Sequence, residues 1–233
     1  MARKSGFTLL ELLVVIAVIG VLASLTSSVI AHAHSEAQAT QCVSNLRQWG
    51  VALNLYCADN YGYTPRRGQG VQPVTIINRS TDWFNALPPY LGMATFNDLV
   101  QQGNPPQAGA NSIFVCPAAK LGTAGPYFLA YAMNMYLSPW IRPQPHKLQE
   151  LPNPSQLAFM ADGPSCWAST VPSSQGYSVV ARHERRANVA FVDGHVESFD
   201  GTYLGCGIGE PNPELSDCRW QTLTDGVNQT PVP

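Results

Sequence analysis

The N-terminal apolar stretch from Phe7 to Ile30 constrains this chain more than any other feature. Its 24 residues contain a single ionisable side chain, that of Glu11. As a helix rising about 1.5 Å per residue, the stretch reaches roughly 36 Å, which is enough to cross a bilayer. A short basic leader containing Arg3 and Lys4 precedes it. The sequence therefore predicts a membrane-spanning helix behind a positively charged N-terminus.

Two ordinary interpretations of this stretch leave a feature unexplained. A secretory signal peptide has support in Ala31-His32-Ala33, which imitates an A-x-A cleavage site. Its apolar region is normally about 7–15 residues long, however, whereas this one is longer and contains Glu11. A plain transmembrane anchor explains the length, but it does not explain a carboxylate that costs about 2.5–3.5 kcal/mol in hydrocarbon. Both interpretations stay open beside a third.

The third interpretation comes from a resemblance to the class III signal of type IV pilins and type II secretion pseudopilins. The matching residues are a basic leader, Gly6, and then Phe-Thr-Leu-Leu-Glu-Leu-Leu-Val-Val-Ile. The resemblance implies that a prepilin peptidase cuts between Gly6 and Phe7 and methylates the new N-terminus. The cut creates a positive amine on Phe7, and N-methylation keeps its charge. We expect this amine to pair with Glu11 of a neighbouring subunit inside the lipid or the filament core.

Charge restricts the partners and sets the orientation of the chain. The formal net charge is −2 and 12% of the residues are charged, which argues against nucleic acid or anionic lipid as the main partner. Arg3 and Lys4 precede the apolar stretch, and the next arginine or lysine is Arg47. By the positive-inside rule, we expect a single-pass inner-membrane precursor with a cytoplasmic N-terminus. The bulk of the chain is then periplasmic, or extracellular in a filament.

The cysteines form an even set in a chain that is expected to leave the cytosol, which favours disulfides. Cys42 and Cys57 cannot pair with each other, because 15 residues of one predicted helix separate them by about 22 Å. Cys206 and Cys218 enclose a short loop and are the candidate disulfide. The alternative is that several thiols are free and buried as small apolar groups. The six are Cys42, Cys57, Cys116, Cys166, Cys206 and Cys218.

The helical pattern continues beyond the apolar stretch. Apolar residues recur at intervals of three and four between Ala39 and Cys57, whereas polar residues fall largely on other faces. We predict one continuous helix from about Thr8 to Asp59, ended by the turn residues that follow. Its first half is apolar all round, and its second half has one stripe to bury.

The predicted fold is α+β and pilin-like, with a C-terminal antiparallel sheet packed on the second half of the long helix. The expected divisions are a leader at 1–6, a membrane or filament-core segment at 7–30, an amphipathic segment at 31–60, a globular α+β domain at 61–204 and a loop-rich tail at 205–233. The end of this tail is predicted to be disordered.

Four segments of the globular domain are predicted to contribute strands, namely 112–116, 157–162, 177–181 and the hairpin 188–199. In the hairpin, Asp193-Gly194 suits a two-residue type I′ turn. That register places Phe191 opposite Val196. The face with Val189 and Phe191 is then expected to cover the long helix.

A second resemblance concerns the hairpin. His183 and Asp193-Gly194 are separated by nine residues, which matches the H-X9-DG motif of prepilin-type processing-associated domains. The segment from Gln41 to Pro65 is similar to proteins of the same group. The resemblance identifies the family of the motif, but it does not say what the motif does.

Three interpretations of the motif stay open. His183 and Asp193 form a hydrogen-bonded pair that fixes the hairpin, with Gly194 supplying a positive φ. A zinc or other transition-metal site uses imidazole and carboxylate ligands. A calcium site uses carboxylate oxygens, since major pseudopilins carry calcium near the C-terminus. The zinc candidates are Asp162, His183, Asp193 and His195, and the calcium candidates are Asp193, Asp200, Glu210 and Asp217.

The sequence gives little support for catalysis. Ser165 and Ser169 are near His183 along the chain, but no G-x-S-x-G motif and no Gly-rich phosphate loop occurs. We therefore expect no enzyme activity and no catalytic residue. Three arginines at 182, 185 and 186 flank Glu184, a pattern more typical of a solvated turn than of a DNA-binding surface.

The pilin resemblance implies a structural function. The expected partners are prepilin peptidase, an inner-membrane assembly platform and further copies of the chain. The product is a type II secretion pseudopilus or a type IV pilus-like filament. The alternative is a membrane-anchored minor pilin that acts as an adhesin, in DNA uptake or as another binding module.

Overall fold

The computed structural model describes residues 9–68, 74–120, 127–139, 144–165, 170–171, 179–207 and 212–222. The chain divides between Ala37 and Gln38 into two compact units. The first unit contains the N-terminal part of helix α1, and the second contains the rest of that helix and all strands.

Helix α1 extends over Leu9–Asp59 without interruption, which confirms the predicted long helix. It is long and apolar enough to cross a membrane. In its first part the large apolar side chains between Leu9 and Ile30 are exposed around the whole helix, from Val15 at 45% to Leu9 at 88%. Nothing within the first unit buries this surface, so it is available to lipid or to other chains.

The second unit is an α+β structure, as predicted. Its sheet has the strand order β3-β1-β2-β4-β5 and is antiparallel except for the β1–β3 pair. The strands are β1 Tyr131–Asn134, β2 Ala158–Asp162, β3 Thr170–Val171, β4 Arg186–Phe191 and β5 Val196–Asp200. Short helices α2 Trp83–Ala86 and α3 Phe96–Gln101 lie between α1 and β1 in sequence, with a 3₁₀ turn at Pro88–Leu91 between them. Two further 3₁₀ turns, Met135–Leu137 and Leu148–Glu150, lie between β1 and β2.

One stripe of α1 is buried in the main core, as its spacing predicts. Leu46, Trp49 and Leu53 are fully buried there, together with residues of the sheet such as Met133 and Met160. The Trp49 ring lies 5.3 Å from Trp83 and 5.5 Å from Phe114, centroid to centroid. This aromatic cluster anchors the helix within the second unit.

The hairpin has a different turn from the predicted one. Ala190 is opposite Val196, and the Phe191 amide donates to the His195 carbonyl at 2.9 Å, so the loop has three residues. Gly194 has φ +95°, and its amide donates to the Phe191 carbonyl. The two-residue type I′ prediction and its register are therefore wrong. Asp-Gly also suits a three-residue loop, in which a single left-handed glycine closes the turn.

Both faces of β4 are buried, which corrects the predicted facing. Ala190 belongs to the core shared with α1, whereas Val189 and Phe191 belong to a second core on the other side. Cys218 and Trp220 from the C-terminal segment are fully buried in that second core. The predicted tail therefore contributes to the core as far as it is described, and its last residues, 223–233, lie outside the described residues.

Two other strand predictions are wrong where the chain is described. Residues 112–114 form a bend and a turn, residues 115 and 116 are irregular, and residues 179–181 are irregular as well; 177 and 178 lie outside the described residues. By contrast, the strand predicted at 157–162 is confirmed as β2. An apolar run of about five residues does not tell a strand from a buried turn, because both place apolar side chains in the core.

Candidate functional site

A cluster of four buried side chains is the most distinctive chemical feature of the second unit. Cys42, Cys116, Asp162 and His183 each offer one ligand atom, and these atoms all lie within 4.8 Å of one another. The side chains are 0–5% exposed. Such residue types are seldom buried together without pairing, so the cluster requires a physical explanation.

Each member of the cluster comes from a different structural element. Cys42 is on the buried stripe of α1, Cys116 ends the turn that follows α3, and Asp162 is the last residue of β2. His183 forms a tight turn with Arg186 through two backbone hydrogen bonds, immediately before β4. This turn fixes the position of the His183 backbone, and therefore of its side chain, next to the start of β4.

Asn45 holds the Cys116 turn against α1. Its side-chain nitrogen Nδ2 lies 3.1 Å from the Val115 carbonyl oxygen and 3.2 Å from the Tyr131 hydroxyl. Trp49, one helical turn further along, donates from Nε1 to the Ile113 carbonyl at 3.1 Å. These contacts fix the backbone beside Cys116 relative to the part of α1 that carries Cys42.

Short distances connect the four ligand atoms. Cys42 Sγ lies 3.2 Å from Asp162 Oδ1, and Cys116 Sγ lies 3.3 Å from His183 Nε2. His183 Nε2 is also 3.6 Å from Asp162 Oδ2. The histidine therefore directs the same nitrogen toward a thiol and a carboxylate.

A surrounding shell of donors holds these groups in place. The Tyr131 hydroxyl is 3.1 Å from Cys42 Sγ, and the Asn188 amide donates to Asp162 Oδ2 at 2.9 Å. Arg182 Nε lies 4.0 Å from Asp162 Oδ1, while its terminal nitrogens donate to Gly163 and Ser165. The carboxylate is thus oriented by a strand amide on one oxygen and faces a cation on the other.

The environment shifts the proton equilibria of the cluster. Burial raises the pKa of the Cys42 thiol well above its usual value, and the nearby Cys116 and Asp162 raise it further. The hydrogen bond from Cys42 lowers the pKa of the Cys116 thiol against the effect of burial, and the bond from His183 adds to this. Burial lowers the pKa of His183, but Cys116 and Asp162 outweigh it and the net shift is upward.

The structure brings together half of the predicted zinc set. Asp162 and His183 are in the buried cluster, whereas Asp193 and His195 lie in the β4–β5 turn with 37% and 41% of their side chains exposed. His195 Nδ1 is 2.6 Å from Asp193 Oδ1. His183 thus contacts Cys116 and Asp162, and the predicted His183–Asp193 pair is wrong.

Gly194 has a clear structural role. Its positive φ suits glycine, as predicted, and its backbone also meets the helix. A Cβ placed on Gly50 of α1 would lie 3.1 Å from the Gly194 Cα. The lack of a side chain at Gly50 therefore allows the helix to approach the turn backbone to backbone, whereas Gly194 is favoured by its positive φ.

The remaining cysteine and calcium predictions concern residues outside the buried cluster. Cys206 and Cys218 are free thiols in the structure, so the predicted disulfide is not formed there. Asp200 accepts from the amides of Thr202 and Tyr203, and Asp217 from the Tyr203 hydroxyl. Among the described residues, neither joins Asp193 in one group of ligand atoms, and Glu210 lies outside them.

The predicted processing and assembly residues belong to the N-terminal segment. Gly6 and Phe7 lie outside the described residues. Glu11 is in the first turn of α1 and is exposed, as the surrounding apolar side chains are. The assignments of the cut and of the charge pair stay predictions.

Comparison with known proteins supports the reading of the N-terminus. The family described as prokaryotic N-terminal methylation motif matches residues 1–27. Type II secretion system core protein G of Klebsiella pneumoniae is 43% identical over 72 residues, or 31% of this chain and 51% of that protein. The corresponding protein of Escherichia coli is 40% identical over 70 residues, or 30% and 48%, and that of Pseudomonas aeruginosa is 33% identical over 70, or 30% and 49%.

This chain is pseudopilin-like. It spans about half the length of the curated relatives it matches. No solved structure matches it. The pseudopilin-like assignment rests on the methylation motif and these relatives, whereas the H-X9-DG resemblance stays a prediction.

Sequence reasoning missed Cys42 and Cys116 as members of the buried cluster. Cys42 had a local signal, because it falls on the apolar stripe of α1 and faces the core. Cys116 had none, since it is 74 residues from Cys42 and in a turn that was predicted as a strand. Only the tertiary fold brings these two thiols together.

Proposed function

We propose that this pseudopilin-like protein is a structural subunit of a filament, either a type II secretion pseudopilus or a type IV pilus-like fibre. Prepilin peptidase removes residues 1–6 and methylates Phe7. The observation that carries the proposal is the uninterrupted helix that exposes apolar side chains on all sides from Leu9 to Ile30. The methylation motif at residues 1–27 supports the processing step.

The apolar surface has a use both before and after assembly. In the precursor, lipid covers it and the chain is anchored in the inner membrane with its N-terminus in the cytoplasm. In the filament, the same segments of neighbouring subunits cover one another. Transfer from lipid to the filament core exchanges one apolar environment for another, so no large area of apolar surface meets water.

Glu11 supplies registration between subunits in this proposal. The amine of Phe7 on an incoming chain pairs with the Glu11 carboxylate of its neighbour. In surroundings of low dielectric constant such a pair is far stronger than in water, and a mismatched stagger leaves charges buried without compensation. The pair therefore favours one axial position over the others.

The role is structural, with no catalytic group assigned. The partners in this proposal are prepilin peptidase, an inner-membrane assembly platform and further copies of the chain, and the bulk of each subunit is periplasmic or extracellular. Nucleic acid is not a proposed partner, since the formal net charge is −2.

The substitution Glu11→Val tests the proposal. We expect the variant to be cleaved after Gly6 as usual. It should be absent from sheared filaments, because the filament core would lack the Glu11 carboxylate that pairs with the Phe7 amine. Immunoblots of whole cells and of the sheared fraction separate these two steps. Glu36→Gln, which alters an exposed carboxylate elsewhere on α1, is the control and should assemble normally. Normal filaments from Glu11→Val would overturn the registration role.

A further inference from the structure

We propose that Cys42, Cys116, Asp162 and His183 bind one zinc-type divalent ion, which acts as a structural cross-link within the second unit. The set differs from the zinc site predicted from sequence, because the two thiols replace Asp193 and His195. It is also distinct from a carboxylate calcium site, since two of its four donors are sulfur.

The donor set suits a closed zinc site. Thiolate, imidazole and carboxylate groups are the ligands that zinc takes in proteins, and structural sites use four of them. Two sulfur donors favour zinc over magnesium or calcium, which prefer oxygen alone. All four side chains are buried, so no position is left open to solvent as it would be in a catalytic site.

The distances between donors match a tetrahedron around a zinc ion. Zinc lies about 2.0–2.3 Å from such ligands, so the edges of its tetrahedron are about 3.3–3.8 Å long. The measured separations are 3.2 Å for Cys42 to Asp162, 3.3 Å for Cys116 to His183 and 3.6 Å for His183 to Asp162. The remaining pairs lie within 4.8 Å. Three of the six separations therefore already match the tetrahedron, and the side chains would close the other three around the ion.

The charges around the cluster also suit a bound dication. With both thiols ionised and the histidine neutral, the four ligands carry three negative charges. The ion and the neighbouring Arg182, whose Nε is 4.0 Å from Asp162, together supply three positive ones. Binding releases two thiol protons, forms two metal–sulfur bonds and changes no oxidation state.

Donors outside the cluster are placed as a metal site requires. The Tyr131 hydroxyl is within hydrogen-bond distance of the Cys42 sulfur, and the Asn188 amide fixes one oxygen of Asp162. Groups of this kind orient the ligands and raise metal affinity. Without an ion, the Cys42 and Cys116 sulfur atoms would be buried with only thiol hydrogen bonds to satisfy them, and a thiol is a weak donor.

A disulfide between Cys42 and Cys116 is the competing outcome in an exported protein. Both thiols are free in the structure, and each is in contact with a different polar partner. A disulfide would use two of the four groups, whereas an ion uses all of them. After denaturation has released any metal, a chain with the disulfide is two hydrogen atoms lighter than a chain with two thiols, which mass spectrometry detects.

The ion would join segments that are far apart in sequence. Cys42 lies on α1, and the other ligands come 74, 120 and 141 residues later. An ion held by all four therefore ties the buried stripe of the helix to the Cys116 turn, to the end of β2 and to the start of β4. Closing such long loops is costly for the chain alone, and a bound ion offsets that cost in the folded state.

The test is metal analysis of the full chain, purified in detergent without chelators. We expect about one zinc per chain by elemental analysis. Replacement by cobalt should give the intense visible bands of a tetrahedral site and a thiolate-to-cobalt charge-transfer band. These cobalt spectra require no variant, so the proposal can be tested even if the ligand variants fold poorly. Metal below a tenth of an equivalent together with no cobalt spectrum would overturn it.

Matched variants locate the ion. Cys116→Ser, Asp162→Asn and His183→Gln should each reduce the metal content at least tenfold. The controls are Cys57→Ala, Asp193→Asn and His195→Gln, which change the same residue types elsewhere and should keep one zinc per chain. A loss of metal in the controls equal to that in the ligand variants would assign the ion to another site.

Stability provides a second readout. Removing the ion with a strong chelator should lower the Tm of the wild-type chain by about 10 °C. It should leave the Tm of Cys116→Ser unchanged. An intact mass showing a Cys42–Cys116 disulfide in the native protein would contradict the site. None of these readouts requires filaments, so the proposal can fail or succeed independently of the assembly function.

Discussion

The two halves of helix α1 have the same backbone geometry but differ in how their apolar side chains are covered. From Leu9 to Ile30 the helix exposes apolar side chains on every face, whereas from Cys42 to Cys57 it buries one stripe completely. The first half is stable only in an apolar environment that other molecules supply. The apolar stripe of the second half is covered by other residues of the same chain. The surface that lipid or other chains can cover therefore lies in the first half, and the buried polar cluster is attached to the second half.

The largest expected effect concerns the exposed half. Gly6→Ala should block the cut, because the resemblance to prepilins places a glycine before the cleaved bond. Intact mass spectrometry should then show a precursor six residues longer than the mature chain. Ser5→Ala, a change of similar size one residue earlier, should leave the mature mass unaltered. A Gly6→Ala chain with the ordinary mature mass would remove the cleavage assignment.

The next effect concerns the buried half. Trp49→Ala removes a fully buried ring that contacts Trp83 and Phe114, and it leaves the Ile113 carbonyl without its donor. We expect the free energy of unfolding to fall by about 3–5 kcal/mol. Denaturant titration of the full chain in detergent measures it. Leu55→Ala, at a half-exposed position on the same helix, is the control; equal losses would show that Trp49 does not anchor the helix.

A smaller effect is expected where the helix meets the hairpin. A methyl group at Gly50 would lie 3.1 Å from the Gly194 Cα, and such overpacking costs about 1–3 kcal/mol. Alanine gains about 1 kcal/mol over glycine in a helix, so Gly50→Ala should be destabilising by about 0–2 kcal/mol. Val51→Ala is the exposed neighbour for comparison. A clear stabilisation by Gly50→Ala would mean that the close approach is not present.

The smallest effect separates the exposed pair in the turn from the buried cluster. His195→Ala removes an imidazole that is 41% exposed, pairs with Asp193 and stacks on Phe191 at 4.3 Å. We expect a loss below about 1 kcal/mol in the free energy of unfolding, since exposed pairs contribute little. Thermal unfolding measures it. A loss as large as that of Trp49→Ala would place the structural centre of the motif in the turn.

Local patterns predicted what is local in this fold. The long helix, its buried stripe, strand β2 and the positive φ of Gly194 each follow from residues within one or two turns or strands. The facing of β4 could not be predicted in this way. Residues 212–222 cover its second face, and the sequence of the strand contains no signal of this contact. The buried cluster could not be predicted from local patterns either, because its four members lie in four different elements. The spacing of the H-X9-DG motif suggested Asp193, and not Asp162, as the partner of His183.

The same distinction explains why the N-terminal methylation motif is visible in the sequence alone. Gly6, Phe7 and Glu11 lie within six residues, so the methylation motif that contains them can be recognised without any tertiary structure. The thiols at 42 and 116 acquire a meaning only when the Asn45 and Trp49 contacts bring the turn against the helix. A sequence pattern reports short-range chemistry, and the fold is required for the rest.

The most direct measurement is the mass of the N-terminal peptide of the protein taken from the membranes of its native host. We expect a peptide that begins at Phe7 and carries one methyl group on its amine. A chain that still begins at Met1, or one that begins at His34, would contradict the processing and with it the assembly of this protein into a filament.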